Sequence, residues 1–167
     1  WTDPNHPEAL RLLHDTAVSF MPYGMSAVRL YDPRGREIVN RGDLPSAALT
    51  IRLTTLDESD LLWRNGELAL RVRVPIVDNN ARLGALIAER PMPVLTQLLY
   101  DVAGLGNTAE MTLCAERQAG IHCFPTRLEP KPFDVPHRID GNRLPISYAL
   151  AGASGHVIAG DYRRHNV

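Results

Sequence analysis

The sequence predicts an α+β fold in which an antiparallel sheet is packed by helices, and three observations carry that expectation. Leu10, Leu13, Ala17 and Phe20 recur at helical spacing behind a start signal made by Asn5, Pro7 and Glu8. From Glu67 to Val77, Leu68, Leu70, Val72, Val74 and Ile76 fall on one side of a strand while Arg71 and Arg73 fall on the other. The strand-like runs are joined mostly by short turns, which is the pattern of an antiparallel sheet and not of parallel βαβ units.

The elements follow in order. Pro7 to Phe20 reads as an amphipathic helix. Ser26 to Tyr31 and Arg36 to Asn40 read as strands about the turn Asp32-Pro33-Arg34-Gly35. A third strand is expected at Leu49, Ile51 and Leu53, alternating with Thr50, Arg52 and Thr54. Asp57, Glu58 and Asp60 read as a solvated connection before Leu61-Leu62-Trp63. The long strand Glu67 to Val77 then turns at Asp78-Asn79-Asn80 into Ala81 to Glu89. After Pro91 and Pro93 the order starts again, with a helix over Val94 to Val102 and strands at Glu110 to Glu116 and Gly120 to Thr126. Leu128 to Arg143 has loop composition, Leu144 to Ala151 a short helix, and His156 to Tyr162 a last strand. Residues 1–92 and 93–167 are therefore expected as two units, the second smaller or truncated.

Composition narrows the function classes. With 167 residues, 44% of them hydrophobic, the chain can bury a core, so whole-chain disorder is excluded. A net charge of -1 lacks the excess positive charge that binding a phosphate backbone requires, which argues against nucleic acid. The only lysine is Lys131 and the arginines are scattered. No stretch approaches the roughly 20 apolar residues of a membrane-spanning helix. The chain opens on Trp1 without a signal-like segment, so a piece of a longer protein is expected, with any membrane tether in flanking segments.

Several motifs bear on chemistry. Gly104-Leu105-Gly106-Asn107-Thr108-Ala109 has the letters of a dinucleotide fingerprint, but a helix precedes it and a strand follows, the reverse of what pyrophosphate binding needs. Histidines 6, 14, 122, 137, 156 and 165 form no set at metal-site spacing, and the serines lie in no nucleophile elbow. No metal, cofactor or catalytic residue is expected. Arg52, Arg71 and Arg73 could share one sheet face as a cationic patch for a carboxylate or phosphate, walled by Trp63, Tyr31 and Tyr23; the alternative is arginines lying along a solvated face. If the hairpin is centred between Gln118 and Ala119, Cys114 and Cys123 are cross-strand neighbours. A disulfide between them implies an oxidising compartment, and the alternative is two free buried cysteines.

The segment from Asp101 through Gly104-Leu105-Gly106-Asn107-Thr108-Ala109-Glu110 to Cys114 resembles the "GLGxTGE" segment of Cache-type, PAS-like sensor domains, with Ala109 where glycine is usual. Val74-Pro75-Ile76-Val77-Asp78 through Leu83-Gly84-Ala85-Leu86 is similar to their closing strand-turn-strand, and Cys123-Phe124-Pro125-Thr126-Arg127 with Ala149 to Gly155 looks like the periplasmic regions of transmembrane diguanylate cyclases. The resemblance implies a double-Cache layout at the periplasmic face of the inner membrane, a homodimer, and control of a cytoplasmic enzyme by an unknown small molecule or periplasmic protein. The family's amino-acid-binding signature has no counterpart that can be placed here. Input to a sensor histidine kinase or chemoreceptor, a stand-alone solute-binding or adaptor protein, and a small secreted enzyme are the rival readings.

Overall fold

The computed structural model describes residues 6–53, 58–102, 109–117, 120–156 and 162–163. The chain is an α+β protein that divides into two compact units, residues 1–96 and 97–167. Asn5, the expected cap, lies outside the described residues. Helix α1 (Pro7–Ser19) instead starts at His6, which makes no side-chain cap, and Pro7 occupies the first turn, where its missing N–H costs nothing.

Six strands form one antiparallel sheet in the first unit: β1 (Ala27–Tyr31), β2 (Glu37–Gly42), β3 (Leu49–Leu53), β4 (Ser59–Arg64), β5 (Glu67–Asp78) and β6 (Ala81–Pro91). Their order across the sheet is β2-β1-β6-β5-β4-β3. Strand β4 corrects the sequence reading. Asp60 is not in a solvated connection but in this strand, opposite Arg52 on one side and Arg71 on the other. Glu58 takes a left-handed backbone just before it, and Asp57 lies outside the described residues.

Two faces result, because residues opposite each other in register share a face. On one, Val28, Leu30, Val39 and Ala88 pack with Ala17 of α1, and Leu13, Val72 and Leu86 close around them. On the other, Arg52, Asp60, Arg71 and Glu89 stand in a row across β3, β4, β5 and β6. A bulge sets that row. At the β5–β6 turn Asp78 faces Ala81, but the pairing shifts between Ile76 and Val77, so that Ile76 faces Gly84. The shift inserts one residue and carries Glu89 to the arginine face. Gly84 permits it by lying against β1, where a Cβ would run into the Tyr31 carbonyl oxygen.

The order also fixes the β2–β3 connection. These strands are opposite edges of the sheet, so the chain from Gly42 to Leu49 crosses its width, a strap past the strand ends. Gly42 launches it with a left-handed backbone (φ 70°), packed so closely that a Cβ would collide with the Ser26 carbonyl oxygen. The Ala48 N–H anchors its far end on the Trp63 carbonyl at 2.8 Å.

Helix α2 (Pro93–Tyr100) contains the division between the units. In the second unit β7 (Cys114–Arg117), β8 (Gly120–Cys123) and β9 (Phe133–Val135) form a three-stranded antiparallel sheet. The run read as loop from Leu128 to Arg143 holds β9 and a small ladder, β10 (Arg138–Ile139) with β11 (Asn142–Arg143), too short to leave a periodic signal. Helix α3 (Pro145–Leu150) packs Ile146 and Leu150 on a core of Ile121, Cys123, Val135 and Leu144. Most of the expected last strand, residues 157–161, lies outside the described residues.

Candidate ligand-binding site

The charged row is the chemical centre of the first unit. Glu89 is fully buried and receives two guanidinium groups. Arg71 donates to its Oε2 through Nη2 at 2.9 Å and Nε at 3.1 Å, a fork geometry, while Arg64 Nη2 lies against its Oε1. Arg64 is itself mostly buried, with 12% of its side chain exposed, and its Nη2 also donates to Ser26 Oγ at 3.4 Å. Ser26 closes the group by giving both its N–H and its Oγ–H to the Glu89 carbonyl. Two guanidinium groups share this one carboxylate, and on the same face Asp60 stands opposite Arg71 and Glu67 opposite Arg64. The Arg64 Nη1 and the Glu89 Oε1 of this pair are both buried and without a hydrogen-bond partner among the described residues.

Arg64 also lines a cleft of about 510 Å³ at the end of the sheet. The strap forms one side through Gly42, Asp43 and Pro45; the ends of β4, β5 and β6 form the other through Arg64, Glu67, Ala69 and Pro91. A volume of this size suits a small organic molecule.

The residues singled out from the sequence are placed differently. Arg52, Arg71 and Arg73 do share a face, but each meets a carboxylate of the chain itself: Arg52 Nε with Asp60 at 2.6 Å, Arg71 with Glu89, and Arg73 Nε with Glu58 at 3.6 Å. Trp63 stands on the opposite face, buried between Leu49 and Leu68, its register partners. Tyr31, at the end of β1, lies by register on the arginine face, while Tyr23 is exposed outside the sheet. None of the four residues Arg52, Trp63, Arg71 and Arg73 lines the cleft.

Arg64 and Glu89 were missed. One signal for Arg64 was present: Asn65-Gly66 is the strongest short hairpin dipeptide, and both residues adopt positive φ (50° and 84°). That turn pairs Arg64 with Glu67 and fixes Asp60 opposite Arg71. Glu89 gave no such signal, because its face depends on the bulge.

In the second unit Cys114 and Cys123 face each other in register and form a disulfide, with Cα atoms 4.1 Å apart. The adjoining Phe124 N–H donates to the Leu113 carbonyl, which makes the cysteines the closely approaching, non-hydrogen-bonded pair. Gln118 and Ala119 lie outside the described residues, as does the glycine segment 103–108. Glu110, the last residue of the "GLGxTGE"-like segment, accepts from Thr126 Oγ1 at 2.7 Å and Tyr162 Oη at 3.2 Å and pairs with Arg163 at 3.3 Å. That polar hub ties the start of the second sheet to the end of the chain.

His122 lies against Asp134 and His137 within 3.6 Å of Glu116, and no cluster of three metal-ligating side chains occurs among the described residues. No helix among them is long and apolar enough to cross a membrane. Comparison of the chain with protein-family models, curated proteins and solved structures finds no match.

Proposed function

We propose that this chain is the extracytoplasmic signal-sensing domain of a bacterial transmembrane receptor, of Cache type, controlling a cytoplasmic diguanylate cyclase through a ligand-dependent change in a homodimer. The observation that carries the reading is the cleft beneath the strap, a space of small-molecule size lined in part by the mostly buried Arg64. The fold adds support. A helix leads into a hairpin, and the last strand of the following meander returns beside β1, an arrangement compatible with PAS-like sheets. The disulfide suits the oxidising periplasm, where such bridges persist. The second unit is read as a smaller or truncated PAS-like unit.

A thermal-shift screen of the purified chain against metabolites, with and without reductant, tests the proposal. A ligand that binds the native state raises its apparent stability by mass action, about 2.7 kcal/mol at a hundredfold excess over Kd. A ligand-specific rise of several degrees is expected. Absence of any rise across the screen would count against a small-molecule sensor.

A further inference from the structure

We infer that Asn65 is a site of spontaneous covalent modification, its side-chain amide deamidating through a cyclic imide formed with the Gly66 nitrogen. This chemistry is independent of the sensor reading and of whatever the cleft binds.

Three hairpins among the described residues close on two residues that both have left-handed backbone, which makes their turns directly comparable. They are Asn65–Gly66 between β4 and β5 (φ 50° and 84°), Asn79–Asn80 between β5 and β6 (47° and 64°), and Asp140–Gly141 between β10 and β11 (50° and 80°). All of these residues are exposed. Only the first turn combines a side-chain amide with a following glycine. After Asn79 comes a residue whose Cβ and amide crowd the nitrogen that would attack. Asp140 carries a carboxylate, a poor electrophile with no ammonia to lose.

The β4–β5 turn leaves the attacking group accessible. In a two-residue hairpin the flanking pair carries the ladder hydrogen bonding, here Arg64 with Glu67, so the Gly66 nitrogen can move without breaking that pair. A Cβ built on Gly66 would meet no atom within 4 Å, so the apex stands in open space. Water is the only co-reactant. The Gly66 nitrogen bonds to the Asn65 Cγ, and the amide group leaves as ammonia with the proton of that nitrogen. Water then opens the ring at either carbonyl. One opening gives aspartate, and the other gives isoaspartate, whose main chain runs through the side-chain carbon.

Both products change their surroundings. Asn65 lines the cleft together with Asp43 and Glu67, so either product adds a negative charge to that rim. Isoaspartate also lengthens the main chain by a carbon, which a two-residue turn cannot absorb while keeping Arg64 opposite Glu67.

Incubation of the purified chain at mildly alkaline pH, followed by digestion and peptide mass spectrometry, tests the inference. The peptide holding Asn65 is expected to gain the mass of an amide replaced by an acid and to separate into aspartyl and isoaspartyl forms. The Asn79–Asn80 peptide should change about tenfold more slowly or less, for want of a glycine. Gly66→Asn, which reproduces the Asn79–Asn80 turn that the fold already accepts, should slow the change to the rate seen at Asn79. The aged wild type should melt several degrees below the fresh chain, and Gly66→Asn aged alongside it should not. Asn65→Asp, which supplies the aspartyl product on an unaltered main chain, should melt close to the fresh wild type. Asn65 left intact over the incubation would overturn the inference, as would equal rates at Asn65 and Asn79 or a Gly66→Asn variant that reacts as fast as the wild type. An Asn65→Asp variant that melts as low as the aged chain would overturn the role given to the lengthened turn.

Discussion

Removing the Glu89 charge should destabilise the first unit severely. In Glu89→Gln, Arg64 and Arg71 would remain at a buried position with no carboxylate between them. Breaking a buried ion pair from one side costs about 3–5 kcal/mol, because the remaining charge keeps its desolvation penalty. Arg71 is partly cushioned, since Asp60 faces it from β4, but Arg64 has no second carboxylate within ion-pair distance among the described residues. In a unit of this size each kcal/mol lowers Tm by about 4–8 °C, so a fall of at least about 12 °C is expected. Urea unfolding and calorimetry read it directly. The double variant Arg64→Met/Glu89→Gln supplies the control: once the orphaned charge is gone, its loss should be smaller than the sum of the single losses by about 1–3 kcal/mol. A loss below about 1 kcal/mol for Glu89→Gln, or strict additivity in the double variant, would refute the reasoning.

Other outcomes follow from particular contacts. Reduction of the Cys114–Cys123 bridge, or replacement of both cysteines by serine, should cost about 2–3 kcal/mol by the chain-entropy model of a short loop, seen as a fall in denaturation midpoint only in the oxidised wild type. Gly42→Ala should destabilise the first unit, because both its left-handed φ and the Ser26 carbonyl reject a Cβ, whereas Gly35→Ala, with nothing near its Cβ position, should suffer the φ strain alone; comparative thermal melts separate the two. Asp32 should make stability fall on acidification. Its carboxyl is held below the ordinary 3.8, first by the Arg36 backbone N–H, against the opposing effect of burial, then by the Arg36 guanidinium and the Arg34 N–H. The stabilisation is present above about pH 4 and lost as pH falls through the lower folded value, so a melting profile against pH should be flatter below pH 4 in Asp32→Ala.

The periodic elements were legible in the sequence because burial on one face writes itself into the residue pattern. Helix α1, the β1–β2 hairpin and the long β5–β6 hairpin all follow from it. The cross-strand cysteines were legible from a turn centre alone, since a symmetric hairpin fixes every pair along it. Strand β4 was obscured by its acids. Asp60 looks like loop composition until Arg52 and Arg71 are placed beside it, and only the β3–β4 and β4–β5 registers do that. Glu89 was hidden more deeply. Continued without interruption from the Asp78–Ala81 turn, the β5–β6 register would set Arg71 opposite Ala88 and leave Glu89 on the face packed by α1. One inserted residue reverses this, and a bulge held by a glycine against a neighbouring strand has no one-dimensional signature. The cleft needs still more: it exists because β2 and β3 are opposite edges joined by a connection that passes the strand ends, a property of the strand order.

The most direct test of the account is receptor output. The chain would be carried between the two membrane helices of a transmembrane diguanylate cyclase, and cyclic di-GMP measured in cells as the ligand found by thermal shift is titrated outside the membrane. A sensor domain should give a saturable change in cyclic di-GMP that Arg64→Met moves to higher ligand concentration. Constant output across a concentration range that saturates the purified chain would contradict it.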